Sequence, residues 1–282
     1  MRRILLATDF TSQADHALDR AVRLSSQTGA TLDVLHAHPD DKADVSALHA
    51  RLIADAHRAA KGAGADRVEI RSVVSVRDPR EAILHRIERI PTDLVVLGGH
   101  GEPRFRDAIF GTTATHIVKH SPIPVLVVQT DPAVPYAKLM VAADRPEGAP
   151  YLVENALSIA PAAEVFTVHA FRTGFLDRLD DAEVMDDLAA REVAALQSAL
   201  ARVAKTHPSA LLGAHHHIVA EPGDAITVLM DETEQLVPDL VVMGTRHRDS
   251  FLGSRAVDAC FWCPTDLLVV PEPEFARVPV DA

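Results

Sequence analysis

The chain contains the same pattern twice, and this internal repeat constrains its fold more than any other feature. The segment IPTDLVVLGGHG at 90–101 returns as VPDLVVMGTRH at 237–247. The segment KHSPIPVLVV at 119–128 returns as FWCPTDLLVV at 261–270. A chain that repeats its strand and turn pattern in this order is predicted to fold into two domains of one architecture.

Each repeat also opens on a strand that ends in aspartate, RRILLATD at 2–9 and, more weakly, YAKLMVAAD at 136–144. The proline-containing segment QTDPAVPY between the repeats reads as a linker, because proline stops a neighbouring helix or strand from running through it. At 282 residues the chain is long enough for two cores. We therefore predict domains at 1–130 and 136–282.

Short valine-rich runs alternate with alanine-rich amphipathic segments, which predicts an α/β fold with mostly parallel sheets and helices on both faces. Five strands are expected in each repeat, so the chain should form two tandem, doubly wound, five-stranded sheets. In such sheets ligands bind beyond the carboxyl ends of the strands. In the first repeat the predicted strands are 3–8, 31–38, 68–74, 93–98 and 124–128, with helices at 44–62, 79–89 and 112–120, and the second repeat has a long helix near 181–206.

The composition excludes several classes of partner. A formal net charge of −12 argues against nucleic acid and against anionic membranes, both of which require clustered Lys and Arg. The apolar run after Arg2 and Arg3 is too short for a signal peptide or a membrane span. Two cysteines do not make a disulfide framework. We expect a cytoplasmic protein.

The stretch GGHGEPRFRDAIFGTT at 98–113 carries the chemistry of the first repeat. Gly98 and Gly101 follow a strand, and nine residues later Gly111 and Thr112 precede a helix. A glycine turn lets backbone amides approach a ligand, and a helix start favours an anion. The alternative is a loop whose glycines only permit turns and whose threonine caps the helix, and the spacing alone does not separate the two.

This pattern resembles the G-2x-G-9x-G-(S/T) signature of nucleotide-binding universal stress proteins, together with the flanking segments DLVVLG and HIVKHSPIPVLVV. The whole chain is similar to a tandem member of that family. The resemblance implies an adenine nucleotide alpha hydrolase-like fold with the two repeats about a pseudo-two-fold axis. It also implies pairing of the repeats through strands 124–128 and 266–270, since single-domain relatives dimerise through that strand, and it leaves a homodimer open.

The resemblance further implies an ATP site, with or without Mg²⁺, in the first repeat. Asp9 would contact the adenosine, Ala37 would offer backbone groups to the adenine, and the glycines would line the ribose and phosphates. Ala37 is smaller than the valine common in the family, which leaves a looser adenine pocket. The implied nucleotide-binding residues are Thr8, Asp9, Ala37, Gly98, Gly99, His100, Gly101, Gly111, Thr112 and Thr113.

The second repeat departs from the signature in GTRHRDSFLGS at 244–254. Its second glycine is replaced by histidine, and its loop has five residues where the first has nine. We expect a degenerate site that binds nucleotide weakly or not at all, although Arg246 and Arg248 leave another anion open. The residues of this second site would be Asp144, Gly244, His247, Gly253 and Ser254.

Two further motifs have structural interpretations. Cys260 and Cys263 would lie at the end of a helix, where the dipole does not stabilise a thiolate, and they fall short of the four ligands of structural zinc. His215 and His217 share one face of a predicted strand and would hold a metal only with a third ligand, so a solvated strand face is favoured.

No pair of nucleophile and base stands out, so Asp9 and His100 would support at most slow ATP hydrolysis. The favoured hypothesis is a nucleotide-dependent stress or signalling module that acts on an unknown protein partner. The alternatives are a structural or interaction protein with a vestigial site, and a slow ATPase.

Overall fold

The computed structural model describes residues 1–39, 44–99, 112–172, 182–201, 203–206, 216–245, 259 and 262–271. The chain divides into two compact units. The first contains Met1–Pro135 with Asp249–Val269, and the second contains Tyr136–Arg248 with Val270–Ala282. A segment from the end of the second repeat therefore belongs to the first unit. The domain limits at 130 and 136 stay a prediction.

The first unit is a sheet with helices, in the order β3-β2-β1-β4-β5, and these five strands are parallel. Strand β10 adds to β5 in antiparallel register, with Leu268 opposite Leu126. The strands are β1 Arg3–Ala7, β2 Thr31–Ala37, β3 Ile70–Ser75, β4 Leu94–Gly98, β5 Val125–Val128 and β10 Asp266–Pro271, and the helices are α1 Ser12–Thr28, α2 Val45–Gly62, α3 Pro79–Arg89 and α4 Thr112–His120.

The second unit repeats this architecture in the parallel order β9-β6-β7-β8. The predicted α/β fold with mostly parallel sheets is confirmed. The predicted helix near 181–206 is wrong in its length, because it ends at Leu200 and a separate short helix packs on α5 and buries Val203. The strands are β6 Lys138–Ala142, β7 Glu164–Phe171, β8 His216–Pro222 and β9 Leu240–Thr245, and the helices are α5 Ala149–Ile159, α6 Ala182–Leu200, α7 Val203–Thr206 and α8 Ala225–Leu236.

An aspartate at the start of β4 fixes the first strand of the sheet, and the second repeat uses the same device. The Asp93 carboxylate accepts hydrogen bonds from the backbone N–H groups of Arg2 and Arg3 at 2.6 and 2.9 Å. Asp239 accepts from Ala137 and Lys138 at 2.8 Å each. Partial burial raises the pKa of Asp93, but these backbone hydrogen bonds outweigh it and leave the pKa below its usual value.

The segment after β5 is held by a buried ion pair. Asp266, fully buried, lies 3.4 Å from the guanidinium of Arg20 and accepts hydrogen bonds from the backbone N–H groups of Gln129 and Thr130. Arg20 in turn donates to the backbone oxygen of Val134 at 2.8 Å. The segment predicted as a linker is thus bonded to both α1 and β10 in the first unit, so a buried charge and its partners fix its path.

Val237→Gly should stabilise the second unit. Val237 closes α8 in a left-handed conformation, with φ 46°, and 73% of the residue is exposed. A β-branched residue in this region costs about 1–2 kcal/mol, and glycine removes that cost. We expect the free energy of unfolding to rise by about 1 kcal/mol, measured as a higher melting temperature by calorimetry. Val76→Gly, at an exposed position with ordinary φ, is the control and should lower stability. A fall in stability for Val237→Gly would contradict the strain.

Candidate functional site

A cavity of about 440 Å³ opens at the carboxyl ends of β1, β2 and β4, where parallel sheets bind ligands. Its volume lies within the range of small-molecule sites. Two of its walls come from helices, namely the start of α3 and the start of α4. The apolar part of the lining is Ala7, Leu35, Ala37, Pro79, Ile83 and Leu97.

The polar part of the lining brings together residues from distant parts of the sequence. Of the predicted nucleotide-binding residues, those that line the cavity are Thr8, Asp9, Ala37, Gly98, Thr112 and Thr113. Gly99 directly follows β4. His100, Gly101 and Gly111 lie outside the described residues. The described lining thus joins a carboxylate at the end of β1 to two hydroxyls in the first turn of α4.

The loop after β1 is tightly hydrogen-bonded. Asp9 Oδ1 accepts from the backbone N–H and the hydroxyl of Thr11, at 3.1 and 2.6 Å. Thr11 is the N-cap of α1 and accepts from the backbone N–H of Ala14. Phe10 between them has φ 62°, a costly conformation for an aromatic residue, and its N–H bonds to Thr8 Oγ1. Such strained backbone is frequent at ligand sites.

A buried histidine supports this loop from β2. His36 Nδ1 lies 2.8 Å from the backbone oxygen of Thr8, and since a carbonyl only accepts, Nδ1 carries the hydrogen. The Phe10 ring packs on the His36 ring with centroids 4.3 Å apart. His169 makes the equivalent bond to the Ala143 oxygen in the second repeat, also at 2.8 Å. Sequence reasoning missed both, although the repeated His-Ala pair at 36–37 and 169–170 was a usable signal.

Gly98 is required for packing as well as for the cavity. A Cβ at this position would lie 2.9 Å from the backbone oxygen of Gln13 and 3.1 Å from the backbone nitrogen of Ala14, at the start of α1. A Cβ at Gly99 would lie 2.8 Å from Cγ of Gln129, a side-chain atom that can shift more easily. The first glycine of the motif therefore lets α1 approach β4, which the sequence interpretation had assigned to a ligand.

The start of α3 is a wall of the cavity that sequence reasoning missed. Pro79 and Ile83 line it, and Asp78 caps the helix by accepting from Arg80 N–H at 2.9 Å. The side-chain hydrogen bond from Arg80 also keeps the pKa of Asp78 below its usual value, so the cap is ionised at neutral pH. The Asp-Pro pair at a helix start was the available signal, because both residues favour that position.

The second repeat places its matching residues differently. Asp144 follows β6, and its carboxylate lies 3.9 Å from Arg145 Nε. Helix α5 begins after Gly148 without a side-chain cap, where α1 has Thr11. Gly244 lies within β9. His247, Gly253 and Ser254 lie outside the described residues, as do Arg246 and Arg248.

The cysteine and histidine motifs are partly described. Burial raises the pKa of the Cys263 thiol to about 12, so this thiol is protonated at neutral pH; Cys260 lies outside the described residues. His217 Nε2 lies 2.9 Å from Glu164 Oε1, a carboxylate neighbour that the sequence interpretation did not find. His215 is not described. Within the described ranges, no three His, Cys, Asp or Glu side chains group as a metal site.

The sequence profile of the universal stress protein family matches residues 1–129 and 135–271. The chain belongs to this family. It carries two successive family domains, so the predicted resemblance and the tandem organisation are confirmed. Universal stress protein E of Escherichia coli strain K12 is 27% identical over 228 residues, covering 76% of this chain and 71% of the relative.

Solved structures of universal stress proteins share the fold. The protein of Archaeoglobus fulgidus DSM 4304 has a TM-score of 0.68 at 18% identity, over 96% of this chain and 98% of that chain. A universal stress protein of Pseudomonas aeruginosa UCBPP-PA14 has a TM-score of 0.67 at 20% identity, over 96% and 93%. Among the described helices, none has the length and apolar composition to cross a bilayer.

Gly98→Ala should destabilise the first unit because its Cβ would meet the backbone of α1, which cannot move as a side chain can. We expect the free energy of unfolding to fall by about 1–3 kcal/mol, as for overpacking, measured by urea denaturation. Gly62→Ala is the matched control, since a Cβ at Gly62 meets nothing within 4 Å, and it should leave stability equal or higher. Equal stability of Gly98→Ala and wild type would contradict the close approach.

The Cys263 thiol should be unreactive in the folded protein because its raised pKa and burial remove both thiolate and access. Cys260→Ser leaves it as the remaining thiol of the chain. Ellman's reagent at pH 8 should then give no reaction with the native variant and one thiol per chain after denaturation. Stoichiometric reaction of the native variant within minutes would show that the thiol is accessible.

Proposed function

We propose that the first repeat binds ATP, with or without Mg²⁺, in the cavity at the carboxyl ends of β1, β2 and β4. The observation that carries this proposal is the joining of an apolar pocket to the start of α4 within one cavity. A nucleotide has the matching parts, a flat base at one end and phosphates at the other.

The chemistry of the lining supports this ligand. Ala37, Ile83 and Leu97 offer apolar surface to a base. Thr112 and Thr113 add hydroxyl donors to the backbone N–H groups in the first turn of α4, where the helix dipole favours an anion. His100, Gly101 and Gly111, as the resemblance implies, would complete the phosphate site.

In this proposal the protein is a nucleotide-dependent stress or signalling module, and ATP occupancy of the first repeat biases its interaction with a protein partner. The second repeat would bind nucleotide weakly or not at all, because Asp144 faces the guanidinium of Arg145 where Asp9 bonds to Thr11. The repeats would pair through β5 and β10, with a homodimer as a further level of assembly.

The first test is the nucleotide content of the freshly purified protein, released by denaturation and identified by chromatography and mass spectrometry. We expect about one ATP per chain and its loss in a Gly101→Val variant. Two per chain would mean that the second repeat also binds. A protein that is empty and takes up no added ATP would favour a structural or interaction role with a vestigial site, and steady turnover of bound ATP would favour a slow ATPase.

Ala37→Leu should weaken ATP binding at least tenfold, because the larger side chain fills the apolar part of the cavity. Titration calorimetry with ATP measures the loss, and the melting temperature checks the fold. Ala170→Leu is the control, since Ala170 follows His169 as Ala37 follows His36, and it should leave the affinity unchanged. The same loss in both variants, or in neither, would contradict a site in the first repeat.

A further inference from the structure

One polar side chain of the cavity has no role in the description so far. Gln13 is the second residue of α1 and lines the cavity. Its carboxamide oxygen is buried and has no hydrogen-bond partner among the described residues. A buried acceptor without a donor costs about 1–3 kcal/mol, and proteins rarely leave one without a reason.

The neighbouring polar groups do not satisfy this oxygen because they bond to one another. Thr8 Oγ1 accepts from the Phe10 N–H, and the Thr11 hydroxyl donates to Asp9. Gln13 also cannot retreat, since its own backbone oxygen packs against β4 where Gly98 lacks a Cβ. The geometry therefore holds an unsatisfied acceptor at the wall of an open cavity.

The type of atom limits the type of ligand group. A carbonyl oxygen only accepts, so it repels phosphate oxygens and attracts an N–H or O–H. Thr112 and Thr113, which line the same cavity from α4, are donors suited to the phosphates. The cavity thus has an acceptor wall at α1 and a donor wall at α4.

We propose that the carboxamide oxygen of Gln13 accepts a hydrogen bond from a neutral donor on the nucleoside half of the ligand. This inference rests on the proposed function and adds a specificity residue to it. The donor is a ribose hydroxyl or the amino group of the base. A site that hydrogen-bonds such a donor rejects analogues that lack it, because its polar group is then left unpaired.

The test combines protein and ligand variants in calorimetric titrations. ATP, 2′-deoxy-ATP, 3′-deoxy-ATP and inosine triphosphate are titrated into wild type, Gln13→Leu and Gln13→Glu. We expect Gln13→Leu to lose about tenfold in ATP affinity, and to lose almost nothing for the analogue that lacks the paired donor. The analogue that escapes the loss identifies the donor as the 2′-hydroxyl, the 3′-hydroxyl or the amino group.

Gln13→Glu keeps an acceptor oxygen, so it should still discriminate ATP from that analogue, although its charge weakens binding of all four. Gln27→Leu, on an exposed face of the same helix, is the control and should bind like wild type. An equal loss for all four ligands in Gln13→Leu, or no loss, would overturn this inference and leave the ATP site standing. A wild-type protein that binds none of the four would overturn both.

Discussion

The close approach of α1 to β4 at Gly98 is the constraint on which the candidate site depends. With no Cβ at Gly98, the first turn of α1 lies against the end of β4, and a Cβ there would come within 2.9 Å of the Gln13 oxygen. This contact places the N-cap Thr11 and its partner Asp9 beside the strand ends. A wider separation would move the acceptor wall of the cavity away from the sheet. One missing methyl group therefore serves packing and ligand geometry together.

The two repeats share the devices that build the backbone and differ in those that would hold a ligand. Both fix their first strand with an aspartate, Asp93 or Asp239, and both support the following loop with a buried histidine. The helix after that loop begins with a threonine cap in one repeat and without a side-chain cap in the other. The scaffold thus persists where the site has changed, since backbone hydrogen bonds depend on the fold and not on a ligand.

Much of the local structure was predictable because it depends on near neighbours in the chain. Helices at 79–89 and 112–120 have the predicted bounds, and the Asp-Pro start of α3 explains one of them. The predicted helix near 181–206 failed, because packing of α7 on α5 ends the longer helix at Leu200 and the pattern of apolar residues alone does not contain that contact. Of the site, the carboxyl-end residues were predictable, whereas Pro79, Ile83 and Gln13 were not.

The sequence by itself determined the α/β class, the tandem organisation and the family, because repeated strands, glycines and turns are read along the chain. Only the tertiary structure decided that Gly98 accommodates α1, that His36 supports the Thr8 carbonyl and that Gln13 carries an unsatisfied oxygen into the cavity. These are contacts between residues far apart in sequence, at distances of a few ångströms. Periodicity and motif spacing record which elements form, but they do not record which atoms meet when the elements pack.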